Sequence, residues 1–168
     1  MNLPARLWLL ILLGTVACNN TAKQRPASDS YSQISIAKIK LMDLNDQPVD
    51  LTKYKDKTIF LNFWATWCKP CREEMPSIQS AMAILKSENI EFFFASDESK
   101  GEIEEFKRTN KFNFNYVRTG SLADLNIMGL PTTFIFDADG KLVFSEIGYR
   151  KWDDKANIEL IQNISKSR

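Results

Sequence analysis

The 168-residue sequence contains no histidine, and this absence removes several classes of chemistry. It excludes Ser-His-Asp and Cys-His nucleophilic catalysis, zinc held by histidine, and acid–base catalysis by an imidazole. Cysteine is scarce as well: the sequence has only Cys18, Cys68 and Cys71, and a structural zinc site needs four Cys or His ligands. The six glycines show none of the spacings that cradle phosphate. One chain is therefore not expected to build a structural zinc site or a glycine-rich phosphate loop.

An excess of charge of either sign is also missing. The sequence has 22 basic and 21 acidic side chains, and its first 17 residues contain only one of them, Arg6. Removal of the segment with Arg6 leaves 21 basic and 21 acidic side chains, so the charge predicts neither nucleic-acid binding nor electrostatic attachment to a membrane. The length and the 44% hydrophobic content predict one globular domain with an appendage.

No apolar run is long enough to span a bilayer. The longest one, residues 7–13 together with the small residues at 14–17, covers about eleven residues, whereas a transmembrane helix needs about 20. Small residues follow at 14–17, so residues 1–17 predict a signal peptide. Cys18 comes next and resembles the acylated cysteine of a bacterial lipoprotein signal, although Thr15 stands where that pattern usually has leucine. We expect an exported protein that is anchored to a membrane of the cell envelope through lipidated Cys18, with plain cleavage before Cys18 as the alternative.

Residues 18–33 are polar and offer too little apolar surface to order themselves, so they predict a flexible tether. The alternative is an N-terminal arm that packs on the domain. Residues 34–168 then form the domain, and its first segment, 34–41, alternates apolar and polar residues as a half-buried strand does.

The rest of the domain shows alternating strand and helix patterns. A helix is expected after Cys71, interrupted by Pro76, which removes a hydrogen bond. The order strand, helix, strand, helix, strand, hairpin, helix predicts an α/β fold with a central mixed β-sheet and helices on both faces. The expected strands are 49–51, 58–64, 90–95, 112–117, 132–136 and 141–147, and the expected helices are 77–86, 102–110 and 152–164, with one or two helical turns at 121–126.

Two residues separate Cys68 from Cys71, and the pair lies between the strand expected at 58–64 and the first helix. A thiolate at a helix N-terminus is stabilised by free N–H groups and partial positive charge. A lone Cys-x-x-Cys can also be half of a zinc site or a structural disulfide. One chain lacks the zinc ligands, and a disulfide that closes so small a loop constrains the unfolded chain little. The placement between strand and helix therefore favours a redox pair.

Two motifs carry a resemblance to a known family. The segments Trp67-Cys68-Lys69-Pro70-Cys71 and Gly129-Leu130-Pro131-Thr132, with Pro76 in the helix, resemble those of thioredoxin-fold proteins. The fuller strings WCKPCREEMP and GLPTTFIFD resemble the TlpA/ResA/DsbE-like branch of exported, membrane-tethered thiol–disulfide oxidoreductases. This resemblance covers residues 34–168 and implies a thioredoxin-like fold with an N-terminal strand extension.

The resemblance also implies roles for individual residues. Cys68 is expected to be the exposed nucleophile and Cys71 the resolving thiol. The Leu130–Pro131 peptide bond is expected to be cis and to face the disulfide. The residues expected to contact substrate are Trp67, Lys69, Pro70 and Leu130, and the ammonium group of Lys69 should also favour the Cys68 thiolate.

Glu74 is the candidate proton-handling group. Cytoplasmic thioredoxins have a buried aspartate on the strand before the motif, and the matching residue here is Asn62, whose amide cannot accept a proton from Cys71. The membrane-tethered branch often has a glutamate three residues after the second cysteine, which is Glu74 here. We expect Glu74 to tune the site, and the alternative is an ordinary carboxylate on the helix surface.

The predicted function is reduction of disulfides in exported proteins by exchange at Cys68 and Cys71, with cytochrome c maturation among the roles that the resemblance implies. This exchange needs no dissociable cofactor and no metal, because the cysteine pair carries the electrons. The predicted partners are protein disulfides and a membrane electron donor of the thiol–disulfide relay type, and the protein is expected to be a monomer. Three alternatives stay open: the same fold acting as an oxidase, a lipid-tethered binding module with a static disulfide, and a metal chaperone. The chaperone is disfavoured because copper-handling relatives use a histidine, which this sequence lacks.

Overall fold

The computed structural model describes Tyr31 and residues 34–167, so the predicted signal peptide and Cys18 lie outside the described residues. Tyr31 belongs to the predicted tether, yet its side chain is buried and its ring packs edge-on against Phe134, with 4.9 Å between ring centroids. The packed part of the chain therefore includes a residue that precedes the predicted boundary at residue 34.

In the described part of the chain, seven strands form one mixed sheet. The strands are β1 (Leu41–Met42), β2 (Pro48–Val49), β3 (Thr58–Phe63), β4 (Ile90–Ser96), β5 (Tyr116–Thr119), β6 (Thr132–Phe136) and β7 (Leu142–Ile147). Their order across the sheet is β2-β1-β5-β4-β3-β6-β7. Strands β3, β4 and β5 are parallel to one another, whereas β6 pairs antiparallel with β3, and β7 with β6. The predicted mixed sheet is confirmed.

Among the described residues, three α-helices pack on this sheet: α1 (Lys69–Ile84), α2 (Lys100–Thr109) and α3 (Lys155–Lys166). Side chains from all three contribute to one core cluster, together with Phe60 of β3. The neighbours of Phe60 on the strand, Ile59 and Leu61, point to the other face, where 3-10 turns and loops cover a second cluster. Strand β4 lies beside β3, and β5 lies beside β4 on its far side, so both crossovers run in the same direction across the sheet. Because such crossovers are right-handed, α1 and α2 lie on the same face. The predicted fold class is confirmed, with the three α-helices on one face of the sheet and 3-10 turns as the helical segments on the other.

The predicted strand at 34–41 is wrong over most of its length. Ile36–Lys38 forms a 3-10 turn, Ser35 makes only an isolated bridge to Lys141, and pairing begins at Leu41. Burial nevertheless follows the alternation in the sequence, because Ile39 and Leu41 are buried and the residues beside them are exposed. Alternating burial is therefore achieved here without a paired strand.

Most other predicted elements are confirmed with shifted ends, but the expected interruption at Pro76 is wrong, because helix α1 begins at Lys69 and continues through Pro76 to Ile84. The strand predicted at 112–117 begins only at Tyr116, because the preceding aromatic residues stack on one another and on Phe94 instead of pairing. Helix α2 begins after Ser99, whose hydroxyl and the Glu102 carboxylate form a capping box, as the predicted cap at 97–99 requires. No helix in the described residues is both long and apolar enough to cross a membrane.

Candidate active site

Cys68 is the N-cap residue of helix α1. Its backbone is extended, and its Sγ accepts a hydrogen bond from the Cys71 N–H at 3.2 Å. Pro70 stands in the first turn, where a missing N–H leaves no helical hydrogen bond unmade. The two cysteines form a disulfide with an S–S distance of 2.01 Å. The sulfur of Cys68 therefore occupies the position where the helix N-terminus best stabilises a thiolate.

Both cysteines are covered in this disulfide form. Cys68 is 3% exposed and Cys71 is 1% exposed. The expectation of an exposed Cys68 is therefore wrong for this form, because its sulfur is directed at the helix and bonded to a buried partner. The neighbouring Trp67 is 71% exposed, so the loop before Cys68 presents the indole to solvent and not the sulfur.

The second sequence motif, Gly129-Leu130-Pro131-Thr132, leads into β6. The Leu130–Pro131 peptide bond is cis, as predicted. Leu130 packs against the core cluster that contains both cysteines. The Pro131 carbonyl accepts the Gly148 N–H at 2.7 Å, and the Thr132 hydroxyl donates to the Gly129 carbonyl at 2.6 Å. These bonds tie the loop to the residue after β7 and close its own turn, and the expected position of Pro131 facing the disulfide stays a prediction.

The predicted substrate-contacting residues other than Leu130 surround the site at its surface. Trp67, Lys69 and Pro70 are exposed. The Lys69 ammonium lies 3.6 Å from the Glu73 carboxylate, in a solvent-exposed i,i+4 pair that stabilises the fold little. Because the ammonium has this partner, its effect on the Cys68 thiolate stays a prediction.

Glu74 is fully buried, so it is not a helix-surface carboxylate. Its Oε1 accepts a hydrogen bond from Asn62 Nδ2 at 2.8 Å, and its Oε2 accepts the Arg150 N–H at 3.2 Å. Asn62 Nδ2 also donates to Thr133 Oγ1 at 3.0 Å. The carboxyl of Glu74 therefore joins β3 to the loop before α3, one helical turn after Cys71, and Asn62 extends the hydrogen-bond network to β6.

Burial raises the pKa of Glu74 from its ordinary value of 4.5 to about 7. The hydrogen bonds from Asn62 and the Arg150 N–H oppose this rise, because they stabilise the charged form. The indole N–H of Trp152 lies close enough to lower the pKa as well, but it makes no hydrogen bond of ordinary geometry. A buried carboxyl that titrates near neutrality can give or take a proton beside a thiol pair.

Glu98 contacts the loop that leads to Cys68, and no motif in the sequence pointed to it. Its carboxylate accepts hydrogen bonds from the N–H and the hydroxyl of Thr66, two residues before Cys68. The signal that could have found it is its place just after β4, because the carboxyl ends of parallel strands meet at one edge of a sheet. In the described residues, no group of three or more Cys, Asp or Glu side chains could hold a metal ion.

Comparisons with known proteins agree with this geometry. The model of the AhpC/TSA family matches residues 34–145. A protein named thiol-disulfide oxidoreductase ResA, from Geobacillus thermodenitrificans, is 36% identical over 127 residues, which is 73% of this chain and 73% of that protein.

Two solved structures share the fold. A thiol:disulfide interchange protein from a Bacteroides species has a TM-score of 0.67 and 25% identity, covering 82% of this chain and 95% of that one. A Chlorobium tepidum protein described as a DsbE-type thiol:disulfide interchange protein has a TM-score of 0.67 and 23% identity, covering 76% and 94%.

The family match, the ResA relative and the disulfide at the start of α1 lead to one assignment. The chain belongs to the AhpC/TSA family, in its branch of ResA-like thiol–disulfide oxidoreductases.

Proposed function

We propose that this enzyme reduces disulfides in exported proteins by exchange at Cys68 and Cys71. The observation that carries the proposal is the disulfide at the N-terminus of α1, with Cys68 as its N-cap and Glu74 buried one turn beyond Cys71. A structural disulfide needs neither the helix N-terminus nor a buried carboxyl that titrates near neutrality.

The reaction begins with both cysteines reduced. The Cys68 thiolate attacks one sulfur of the substrate disulfide, so that a mixed disulfide forms and the other substrate sulfur leaves as a thiolate and takes up a proton. Cys71 then loses its proton and attacks the Cys68 sulfur, which restores the Cys68–Cys71 disulfide and releases the second substrate thiolate. The substrate gains two electrons and the enzyme loses two, with the sulfurs as the only electron carriers.

The chain's own groups support each step. The Cys71 N–H and the helix N-terminus stabilise the attacking Cys68 thiolate. Glu74 is the nearest buried acid along the helix from Cys71 and can accept its proton. Trp67, Lys69, Pro70 and Leu130 are the candidate contacts for the substrate segment around its disulfide.

The cellular setting is part of the proposal. Residues 1–17 act as a signal peptide, Cys18 carries the lipid that anchors the protein to an envelope membrane, and the following segment tethers a monomeric domain. A membrane electron donor with its own thiol pair supplies the two electrons that return the enzyme to its reduced form. Cytochrome c maturation is one such use, because it requires reduced cysteines in an exported protein.

A redox titration against glutathione tests the direction of the reaction. A reductase should have a potential near that of thioredoxin, about −270 mV, whereas a strong oxidase such as DsbA lies near −120 mV. A potential far below about −300 mV would mark a static disulfide and contradict the proposal. The same reduced protein should also reduce an unfolded, disulfide-bonded protein, and a Cys68→Ser variant should not.

A further inference from the structure

A single carboxylate from another part of the chain holds the loop that leads to Cys68. Glu98 Oε2 accepts the Thr66 N–H at 2.7 Å, and Glu98 Oε1 accepts the Thr66 hydroxyl at 2.5 Å. The Ser96 hydroxyl donates to Glu98 Oε2 at 3.0 Å and accepts the Glu98 N–H at 3.2 Å. Hydrogen bonds to a carboxylate are about twice as strong as neutral ones, so this is a firm attachment.

The attachment point matters because the chain runs from Thr66 almost directly into Cys68. The Cys68 N–H closes a turn onto the Ala65 carbonyl at 3.1 Å, and Thr66 lies inside that turn. From the end of the turn, the Cys68 sulfur accepts the Cys71 N–H. Movement of Thr66 would therefore move the Cys68 sulfur away from the N-terminus of α1.

We propose that Glu98 is a positioning residue for the exchange reaction, acting through Thr66 to keep the Cys68 sulfur over the N–H groups that open α1. This inference rests on the proposed function, since it concerns the thiolate that attacks the substrate. The negative charge of Glu98 acts in the opposite sense, because a nearby carboxylate disfavours a thiolate. The hydrogen bonds of Glu98 and its negative charge therefore have opposite effects on the Cys68 thiolate, and different variants are needed to separate them.

Two substitutions of Glu98 make this separation. Glu98→Gln removes the charge and keeps the contacts, because the amide oxygen can accept the Thr66 N–H while its NH₂ donates to the Thr66 hydroxyl. Glu98→Ala removes the charge and the contacts together. Glu102→Ala is the matched control, because that carboxylate forms a capping box on α2 with Ser99.

The measurements use reduced full-length protein: thiolate absorbance against pH, the rate of reaction with a small aromatic disulfide, and the thermal midpoint. We expect the Cys68 pKa of Glu98→Ala to lie above that of Glu98→Gln. For each unit by which the Cys68 pKa rises, the reaction should slow about threefold, because a tenfold loss of thiolate is partly offset by the greater nucleophilicity of the more basic thiolate. Glu102→Ala should lower the thermal midpoint and leave titration and rate unchanged.

Identical titrations and rates for the two Glu98 variants would overturn the inference, because only the lost charge would then matter. If Glu98→Ala does not fold, Thr66→Val replaces it, since it removes one of the two bonds from Thr66. That variant should show a smaller rise of the Cys68 pKa, and an unchanged titration would overturn the inference. A wild-type protein that reacts with no disulfide would instead contradict the proposed function.

Discussion

Replacing Glu74 by glutamine removes an ionisable group from the core and keeps the shape of the side chain. The hydrogen bonds can also be kept. If the Asn62 amide turns over, its oxygen accepts from the new NH₂ group and from the Thr133 hydroxyl, while the new carbonyl oxygen accepts the Arg150 N–H. The substitution therefore tests the charge of Glu74 with little change in packing.

The size of the effect can be worked out from the pKa. The ordinary pKa of Glu74 is 4.5 and burial raises it to about 7, so the folded protein binds one more proton than the unfolded chain between these values. The free energy of unfolding then falls as pH rises through this window. The difference of about 2.5 units, at 1.36 kcal/mol each, corresponds to about 3 kcal/mol. The stabilisation is fully present below pH 4.5 and is lost above pH 7.

Urea denaturation of the disulfide form from pH 4.5 to 8 measures this change. The stability difference between Glu74→Gln and wild type should shift in favour of the variant by about 3 kcal/mol across the range. Glu73→Gln is the control, because Glu73 is exposed and should leave the pH dependence unchanged. Parallel stability curves for wild type and Glu74→Gln would refute the assignment of a buried carboxyl with a raised pKa.

The same variant reports on reactivity in the reduced protein. A carboxylate at Glu74 disfavours a second negative charge on the thiol pair. We therefore expect Glu74→Gln to lower the thiol pKa values, as read from thiolate absorbance, and to change the rate of disulfide reduction. Superimposable titrations with equal rates would show that Glu74 has no part in the exchange.

Three further predictions concern the thiols, the surface and the N-terminus. Cys71→Ser should trap a substrate as a mixed disulfide on Cys68, seen by mass spectrometry, and equal trapping through Cys71 in Cys68→Ser would reverse the assigned roles. Trp67→Ala should raise KM for a protein substrate with little loss of stability, because the indole is 71% exposed; unchanged kinetics would exclude it from the substrate contact. The intact mass of the purified membrane form should show an acylated N-terminal Cys18, and an unmodified cysteine or another terminus would disprove the lipid anchor.

The sequence predicted the sheet and the site best where local pattern and tertiary packing agree. Residues 58–64 are apolar almost throughout, and β3 is buried along its whole length. The segment 34–41 has an equally clear pattern, an alternation of apolar and polar residues, but alternation reflects burial and not strand pairing, so a segment with a 3-10 turn also satisfies it. The local pattern therefore could not distinguish a paired strand from a 3-10 turn with alternating burial.

Glu74 and Glu98 also show how far the sequence alone predicts the site. Glu74 follows two exposed charged residues and looks like a surface residue, yet it shares the helical spacing of the buried Cys71 and Ile78. That spacing was a usable signal for burial. Glu98 gave a weaker signal, because its contact with Thr66 joins residues 32 positions apart and depends on the pairing of β3 with β4.

The positions of these carboxylates have opposite consequences for the first turn of α1. Glu98 acts from outside the helix on the loop before Cys68, and its hydrogen bonds favour a fixed sulfur position. Glu74 acts from inside the core, one turn after Cys71, and with a pKa of about 7 it is neutral in mild acid and charged in mild base. Reduction of the disulfide frees a thiolate one helical turn from Glu74. The negative thiolate disfavours a negative charge on the Glu74 carboxylate, so reduction favours the protonated form of Glu74. By linkage, reduction should take up part of a proton at Glu74 near neutral pH, and the potential of the pair should depend on pH in that range through Glu74 as well as through the thiols.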